Sequence, residues 1–343
     1  MNKLNVMSLM QSRAVHRKAG RRAVLALGMA MVLARPGEAA AAPDDFPSKP
    51  IKFIISWPPG GSADVVGRLV AERLSKRIGQ PVIVENRAGA GGKIGTLAVV
   101  RAEPDGCTLL FAAPSELTIA AATVQTMPYD PIKDLQPVIQ VMAGPYVLVA
   151  NPGFPPNTLA EMKAYAKANP NKVNYASFGN NTLNHLYGEQ LNVVTGMDTV
   201  HVAYKGGSPA VADLVSGQVQ YMFDNAGSVM PLVKTGKLKA IAVMAPQRLA
   251  SAPAVPTMAE AGAPDFGSGT WLGILAPAKT PKAIVDKLHD ELAAVLTSAE
   301  MGRMFEERAI RAVVNTPDEF GTLIKAEVGK WQGLVAKLGL KME

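Results

Sequence analysis

Four times along this chain an apolar, strand-like run ends in a bend rich in Gly, Pro or Asn and passes at once into a helix. The stretches are "SWPPGGSAD" (56–64), "NYASFGNNTLNHL" (174–186), "VHVAYKGGSPAVADLV" (200–215) and "VQYMFDNAGSVMPLV" (219–233). A helix that starts where a strand stops aims its first unpaired N–H groups beyond the end of the sheet, where they and the helix dipole favour an anion. In the first stretch Ser62 is the expected N-cap, ahead of an apolar stripe at Val66, Val70, Leu74 and Ile78. A single such bend is equally a tight turn with a capped helix behind it. Four together favour a small anionic molecule held in one cleft.

Strands are expected at 51–56, 82–85, 108–112, 138–142, 146–150, 173–176, 199–203, 218–223, 239–243 and 271–276. Helices are expected at 159–168, 183–194, 209–216, 229–235, 281–296 and 317–338. The alternation predicts an α/β chain with mostly parallel sheets. Two Gly/Pro-rich passages, 141–153 and 261–277, read as crossings between domains. They divide the chain into a discontinuous first domain, 42–143 plus 267–343, and an inserted second domain, 144–266. A ligand would then lie between the two.

The 343 residues are 48% hydrophobic, enough for two cored domains. The formal charge of +7 does not indicate nucleic-acid binding. Seven Lys or Arg against one acid fall before residue 43, so the remainder carries only +1 and no basic stripe. Residues 1–41 read as a cleavable export signal with a basic start, an apolar stretch at 23–34 and small residues before a cut between Ala41 and Ala42. The stretch is too short to span a bilayer. Arg21 and Arg22 suggest twin-arginine export, with the general secretory route as the alternative. The expected destination is the periplasm, in soluble form. Cys107, the sole cysteine, permits no internal disulfide and reads as a small buried hydrophobe.

Catalytic and cofactor motifs fail one by one. In "RAGAGGKIG" (87–95) a phosphate-binding P-loop would need Gly at Arg87 and Ser or Thr at Ile94. The glycines at 89, 91 and 95 fit a dinucleotide fingerprint loosely, and no acidic residue ends the next strand. No G-x-S-x-G elbow is present, and His16, His185, His201 and His289 show no metal-ligand spacing. His185 and His201 read as capping, packing or sheet-face residues. Asp64, in the first turn of its helix, suits the dipole. No cofactor, metal or catalytic residue is expected.

The stretches "FPSKPIKFIISWPPGGSADVVGR", "VENRAGAGGKIGT", "PDGCTLLFAAPS", "YDPIKDLQPVIQV", "YASFGNNTLNHLYGEQL", "HVAYKGGSPAVADLVSGQVQYMFDN", "GKLKAIAV", "VPTMAEAG" and "LAPAKTPKAIVDKL" occur in order over the chain after the leader. In these the chain resembles the substrate-binding proteins of tripartite tricarboxylate transporters, the Bug (Bordetella uptake gene) family. The resemblance implies a two-domain periplasmic binding protein fold, type II-like, that closes on a small carboxylate and delivers it to a membrane permease. The ligand classes are di- or tricarboxylates, aromatic acids and acidic amino acids. It also implies a site in which backbone amides and ordered water at Pro59, Gly60, Gly61, Ser62, Ala63 and Asp64 hold one carboxylate. Phe178, Gly179, Asn180, Asn181, Thr182, Tyr204, Lys205 and Asp224 face them. Trp57 stands where a smaller aromatic is frequent and is either a pocket wall or a brace beside the prolines. Cys107 stands where tyrosine is frequent. The expectation is a monomeric receptor without enzymatic activity; the alternatives are a ligand sensor feeding a signalling partner, or a nucleotide-using or hydrolytic enzyme.

Overall fold

The strand Ile51–Ile55 (β1) is buried at four of its five positions and has a parallel neighbour on each side, as expected of a central strand whose two faces are covered. Those neighbours, Val82–Asn86 (β2) and Thr108–Ala112 (β3), register Val84 and Leu109 beside Phe53. Parallel neighbours need crossovers, here supplied by helices Ser62–Ile78 (α1) and Lys93–Val100 (α2). The computed structural model describes residues 46–264, 266, 269–307 and 310–339. The export-signal reading of 1–41 lies outside the described residues. Pro47–Glu343 forms one compact unit, to which everything below belongs.

After the short helix Ala120–Thr123 (α3), strands Leu135–Gly144 (β4) and Tyr146–Ala150 (β5) are separated by Pro145 alone, and between them the chain changes sheet. Helix Leu159–Ala168 (α4), strand Asn174–Ser177 (β6), helix Leu183–Thr195 (α5), strand Val200–Ala203 (β7) and helix Gly207–Ser216 (α6) follow. Next come strand Tyr221–Asn225 (β8), helix Ala226–Lys234 (α7) and strand Lys239–Met244 (β9). Strand Thr270–Pro277 (β10) returns to the first sheet. Helices Lys282–Leu296 (α8) and Ala299–Glu306 (α9), the short strand Arg311–Ala312 (β11) and helix Pro317–Leu338 (α10) complete the order. The first sheet runs β11-β4-β10-β3-β1-β2 and the second β7-β6-β8-β5-β9.

The sheets are mixed, which corrects the expectation of mostly parallel pairing. The pairs β1–β2, β1–β3, β6–β7 and β6–β8 are parallel. The pairs β3–β10, β4–β10, β4–β11, β5–β8 and β5–β9 are antiparallel. The cause is the sheet change: with no crossover helix between β4 and β5, the incoming strand runs against β8 and β9, and β10 runs back against β4 and β3. The two crossings lie side by side, with Thr270 registered on Gly144. Gly269 has φ +93°, and a Cβ there would sit 2.2 Å from the Gly144 carbonyl oxygen, so only glycine fits that approach.

One core, including Ile54, Leu110, Trp271 and Phe320, packs on the first sheet. The second sheet is covered on both faces, by a cluster around Tyr175, Tyr187 and Phe223 and another around Met222, Leu214 and Val243. Helix α10 joins two of these cores, placing Phe320 and Ile324 in the first and Trp331 and Val335 in the second, where Trp331 meets Tyr187. Between those points Glu327 accepts hydrogen bonds from Trp271 Nε1 at 2.8 Å and Thr118 Oγ1 at 3.1 Å. Cys107 is buried, and burial pushes its thiol up to about 11, so it is inert at neutral pH.

Candidate functional site

The chain from Ser56 to Asp64 leaves β1 and opens α1 in a way that differs from the expected cap. Gly61, not Ser62, is the N-cap, with extended backbone and no side-chain bond. The carboxylate of Asp64 takes over: Oδ2 accepts the Gly60 N–H at 2.9 Å, and Oδ1 accepts from Arg68 and from Asn86 Nδ2, each at 2.9 Å. Asn86 also donates to the Trp57 carbonyl at 3.0 Å. Burial alone would raise the Asp64 pKa, but the bonds from Arg68, the Gly60 N–H and Asn86 outweigh it and hold it below the usual carboxylate range. Asp64 therefore organises the turn from beneath, leaving the faces of Gly60, Gly61, Ser62 and Ala63 toward a cavity of about 400 Å3.

Trp57 also faces that cavity, and its indole N–H points the other way, donating to both oxygens of Glu116 at 3.2 and 3.3 Å. Glu116 is fully buried and accepts a second bond from the Ala113 N–H at 2.9 Å. Burial lifts its pKa to about 8, against the smaller opposing effect of those donors. In the glycine-rich stretch 87–95, Gly92 makes room for this group, since a Cβ there would stand 2.8 Å from Glu116 Cβ, and Gly95 makes room for the start of the turn, since a Cβ there would stand 2.8 Å from Ser56 Oγ. Trp57 is thus both brace and wall, and its ring meets Phe178 edge-on with centroids 6.4 Å apart.

The second sheet supplies the opposite wall. Phe178 lines the cavity, whereas Gly179, Asn180, Asn181 and Thr182 do not. Their turn consumes its own donors: the Gly179 N–H bonds to Ser177 Oγ, the Asn181 N–H to His185 Nδ1, and Thr182 Oγ1 donates to the Gly179 carbonyl. The Leu183 N–H is taken by Ser115 Oγ from the other wall at 3.2 Å. His201 accepts or donates at Ser177 Oγ, 2.6 Å away, and stacks on His185, so both histidines hold the turn. Tyr204 points its hydroxyl to Asp213 at 2.8 Å, Lys205 is exposed, and neither lines the cavity; Pro59 and Asp64 are likewise outside its wall.

Asp224 does line it, at the end of β8 and 3% exposed. Burial raises its pKa to about 7, partly offset by the Asn225 N–H on Oδ1 at 2.6 Å. Sequence reasoning missed Ser115, Tyr146, Ser208 and Asn225, which also form the wall. Asn225 was legible in principle as the N-cap of α7, where its Oδ1 accepts the Gly227 N–H at 2.8 Å. That cap starts α7 at Ala226, three residues before the expected 229. The walls touch where Ser208 Oγ donates to the Pro59 carbonyl at 3.0 Å, and a Cβ on Gly206 would stand 2.7 Å from the Pro58 ring. The N-termini of α1, α6 and α7 thus border one cavity, in whose wall Asp224 is the only charged side chain among the described residues.

The family model for the tripartite tricarboxylate transporter family receptor matches residues 66–340. The chain belongs to this family. It is 37% identical over 301 residues to Protein BugT of Bordetella pertussis, spanning 88% of this chain and 92% of that one. It resembles the solved periplasmic binding protein BugD with a TM-score of 0.83 and 33% identity, covering 87% of this chain and all of that one. MatC from Rhodopseudomonas palustris, solved with bound malate, gives 0.80 and 32% over 84% and 100%. The fold is that of a two-domain periplasmic binding protein, and the protein is a receptor rather than an enzyme. Receptors of this family bind small carboxylates and work with membrane components of a transporter. Among the described residues no helix is long and apolar enough to cross a membrane, and no cluster of His, Cys, Asp or Glu is placed to hold a metal.

Proposed function

We propose that this receptor binds a small carboxylate in the cavity between Trp57–Ala63 and Phe178–Ser228, and passes it to a tripartite tricarboxylate-type permease. The observation that carries the reading is the meeting of three helix N-termini at one cavity with no Lys, Arg or His in its described wall. A carboxylate there is held by amides and dipole rather than by a counter-ion. The two domains, 42–143 plus 267–343 and 144–266, close about the paired crossings at Gly144 and Gly269, driven by contacts made only in the closed form. Residues 1–41 direct export to the periplasm, where the mature monomer starts at Ala42. Calorimetry against carboxylates and matched uncharged analogues tests the reading. Carboxylates should bind and raise the melting temperature by linkage. Equal binding of the uncharged analogues, or consumption of the ligand, refutes it.

A further inference from the structure

Asp224 lies near the end of β8 and shares a sheet face with Met222, two residues back, whose cluster takes in Phe178, Val211 and Leu232. Those three side chains line the cavity, as Asp224 does. The residue is 3% exposed, so its carboxyl is nearly cut off from bulk water. Oδ1 accepts the Asn225 N–H; Oδ2 has no hydrogen-bond partner among the described residues and is not sealed from the cavity.

No described cation answers this carboxyl. Tyr146 of β5, a phenol that burial keeps neutral, feels its charge. Asp213 of α6 is turned to the Tyr204 hydroxyl, Asp64 and Arg68 of α1 are paired with each other, and Glu116 lies behind Trp57. Lys205 is exposed before α6, and Lys234 stands in the last turn of α7. Of these groups only Tyr146 lines the cavity.

A carboxylate entering here is a second acid in a poorly hydrated space, and two such groups do not both stay ionised. The ligand meets the N-terminus of α1, which favours its charged form. Asp224 has one N–H and its burial, and burial favours the neutral form, already raising its pKa to about 7. The proton therefore settles on Asp224. We propose that this receptor takes up a proton from solvent at Asp224 as it binds its carboxylate, so that its affinity falls as pH rises. This rests on the proposed carboxylate reading and adds to it a proton linkage.

The test is calorimetry on the purified protein with adipate, malate, phenylacetate, glutamate and, as an uncharged match, adipamide. For the acids that bind, titrations at pH 7.5 in HEPES and in Tris, whose ionisation heats differ, should show uptake of about half a proton or more per ligand. Affinity should fall at least about fivefold from pH 6.5 to 8.5, a range in which these ligand carboxylates stay ionised. Asp224→Asn should lose the uptake and hold its affinity within about twofold over that range, whereas Glu116→Gln should keep the wild-type slope. Wild-type affinity that is flat or rises with pH, as an ammonium of glutamate paired with a charged Asp224 would give, overturns the inference. So does a slope that survives in Asp224→Asn or vanishes in Glu116→Gln. The wild-type proton count decides the matter even if Asp224→Asn does not fold. Adipamide binding as tightly as adipate, or no acid binding at any pH, removes the carboxylate receptor itself; acids that bind without a proton leave the receptor standing and remove only the linkage.

Discussion

Replacing Glu116 with Gln should make the protein more stable at alkaline pH while leaving it unchanged at acid pH. Glu116 has no exposed surface, no cation beside it, and a pKa near 8, raised by burial above the value of about 4.5 that an unfolded chain gives it. A folded-state pKa above the unfolded one means that the folded protein binds the extra proton between those two values. Stability from this group is therefore full below about pH 4.5 and is lost as pH rises toward 8. The gap of roughly 3.5 pKa units, at 1.36 kcal/mol each, amounts to about 5 kcal/mol. Gln keeps the shape and an oxygen for the Trp57 and Ala113 N–H groups but does not titrate. Urea unfolding of both proteins from pH 4 to 8.5 should give matching stabilities at the acid end. The variant should pull ahead by several kcal/mol at the other, and the shared contribution of Asp224 cancels in the difference. A difference that stays constant across this range would show that Glu116 does not hold its proton in the fold, and would refute the reasoning.

Three further outcomes follow from the geometry of the turns. Asp64→Ala removes the acceptor of the Gly60 N–H, Arg68 and Asn86, so it should cost about 2–4 kcal/mol in denaturant unfolding and weaken ligand binding, although Asp64 does not line the cavity. Undiminished affinity would show that the turn keeps its shape without it. Gly206→Ala sets a methyl 2.7 Å from Pro58 at φ +117°, so calorimetry should show affinity falling about tenfold or more as the walls are held apart; wild-type affinity would mean that this contact is not required for binding. Ser208→Ala deletes the 3.0 Å bond to the Pro59 carbonyl, and stopped-flow release of ligand should accelerate about two- to tenfold with little change in association rate.

The fold was legible where local pattern decides it. "IKFII" reads as a strand and is one, buried at all but Lys52, and Leu159–Ala168, Pro317–Leu338 and Leu183–Thr195 carry their helical periodicity in plain view. Strand direction was not legible, because it depends on which sheet the chain enters after Pro145, and no local signal encodes that. The same division runs through the site. Glycines at 60 and 61 announce exposed amides, and Gly60 through Ala63 do border the cavity. Asp64 carries the same signal as an anion-facing residue and yet turns inward, since its partners Arg68 and Asn86 come from one helical turn on and from the end of β2. The turn 178–182 looks from sequence like a second set of open amides, but Ser177, His185 and Ser115, the last arriving from the other wall, have claimed them. What distinguishes an amide that waits for a ligand from one already satisfied is a long-range partner, and such partners leave no mark on the turn itself. Trp57 shows the point most fully: its role depends on Glu116, fifty-nine positions along the chain, and on Gly92, whose missing side chain makes room for that carboxyl. The consequence for this family of turns is that glycine content locates the jaws, while the direction in which each jaw opens is decided by the acid or hydroxyl that plugs it from behind.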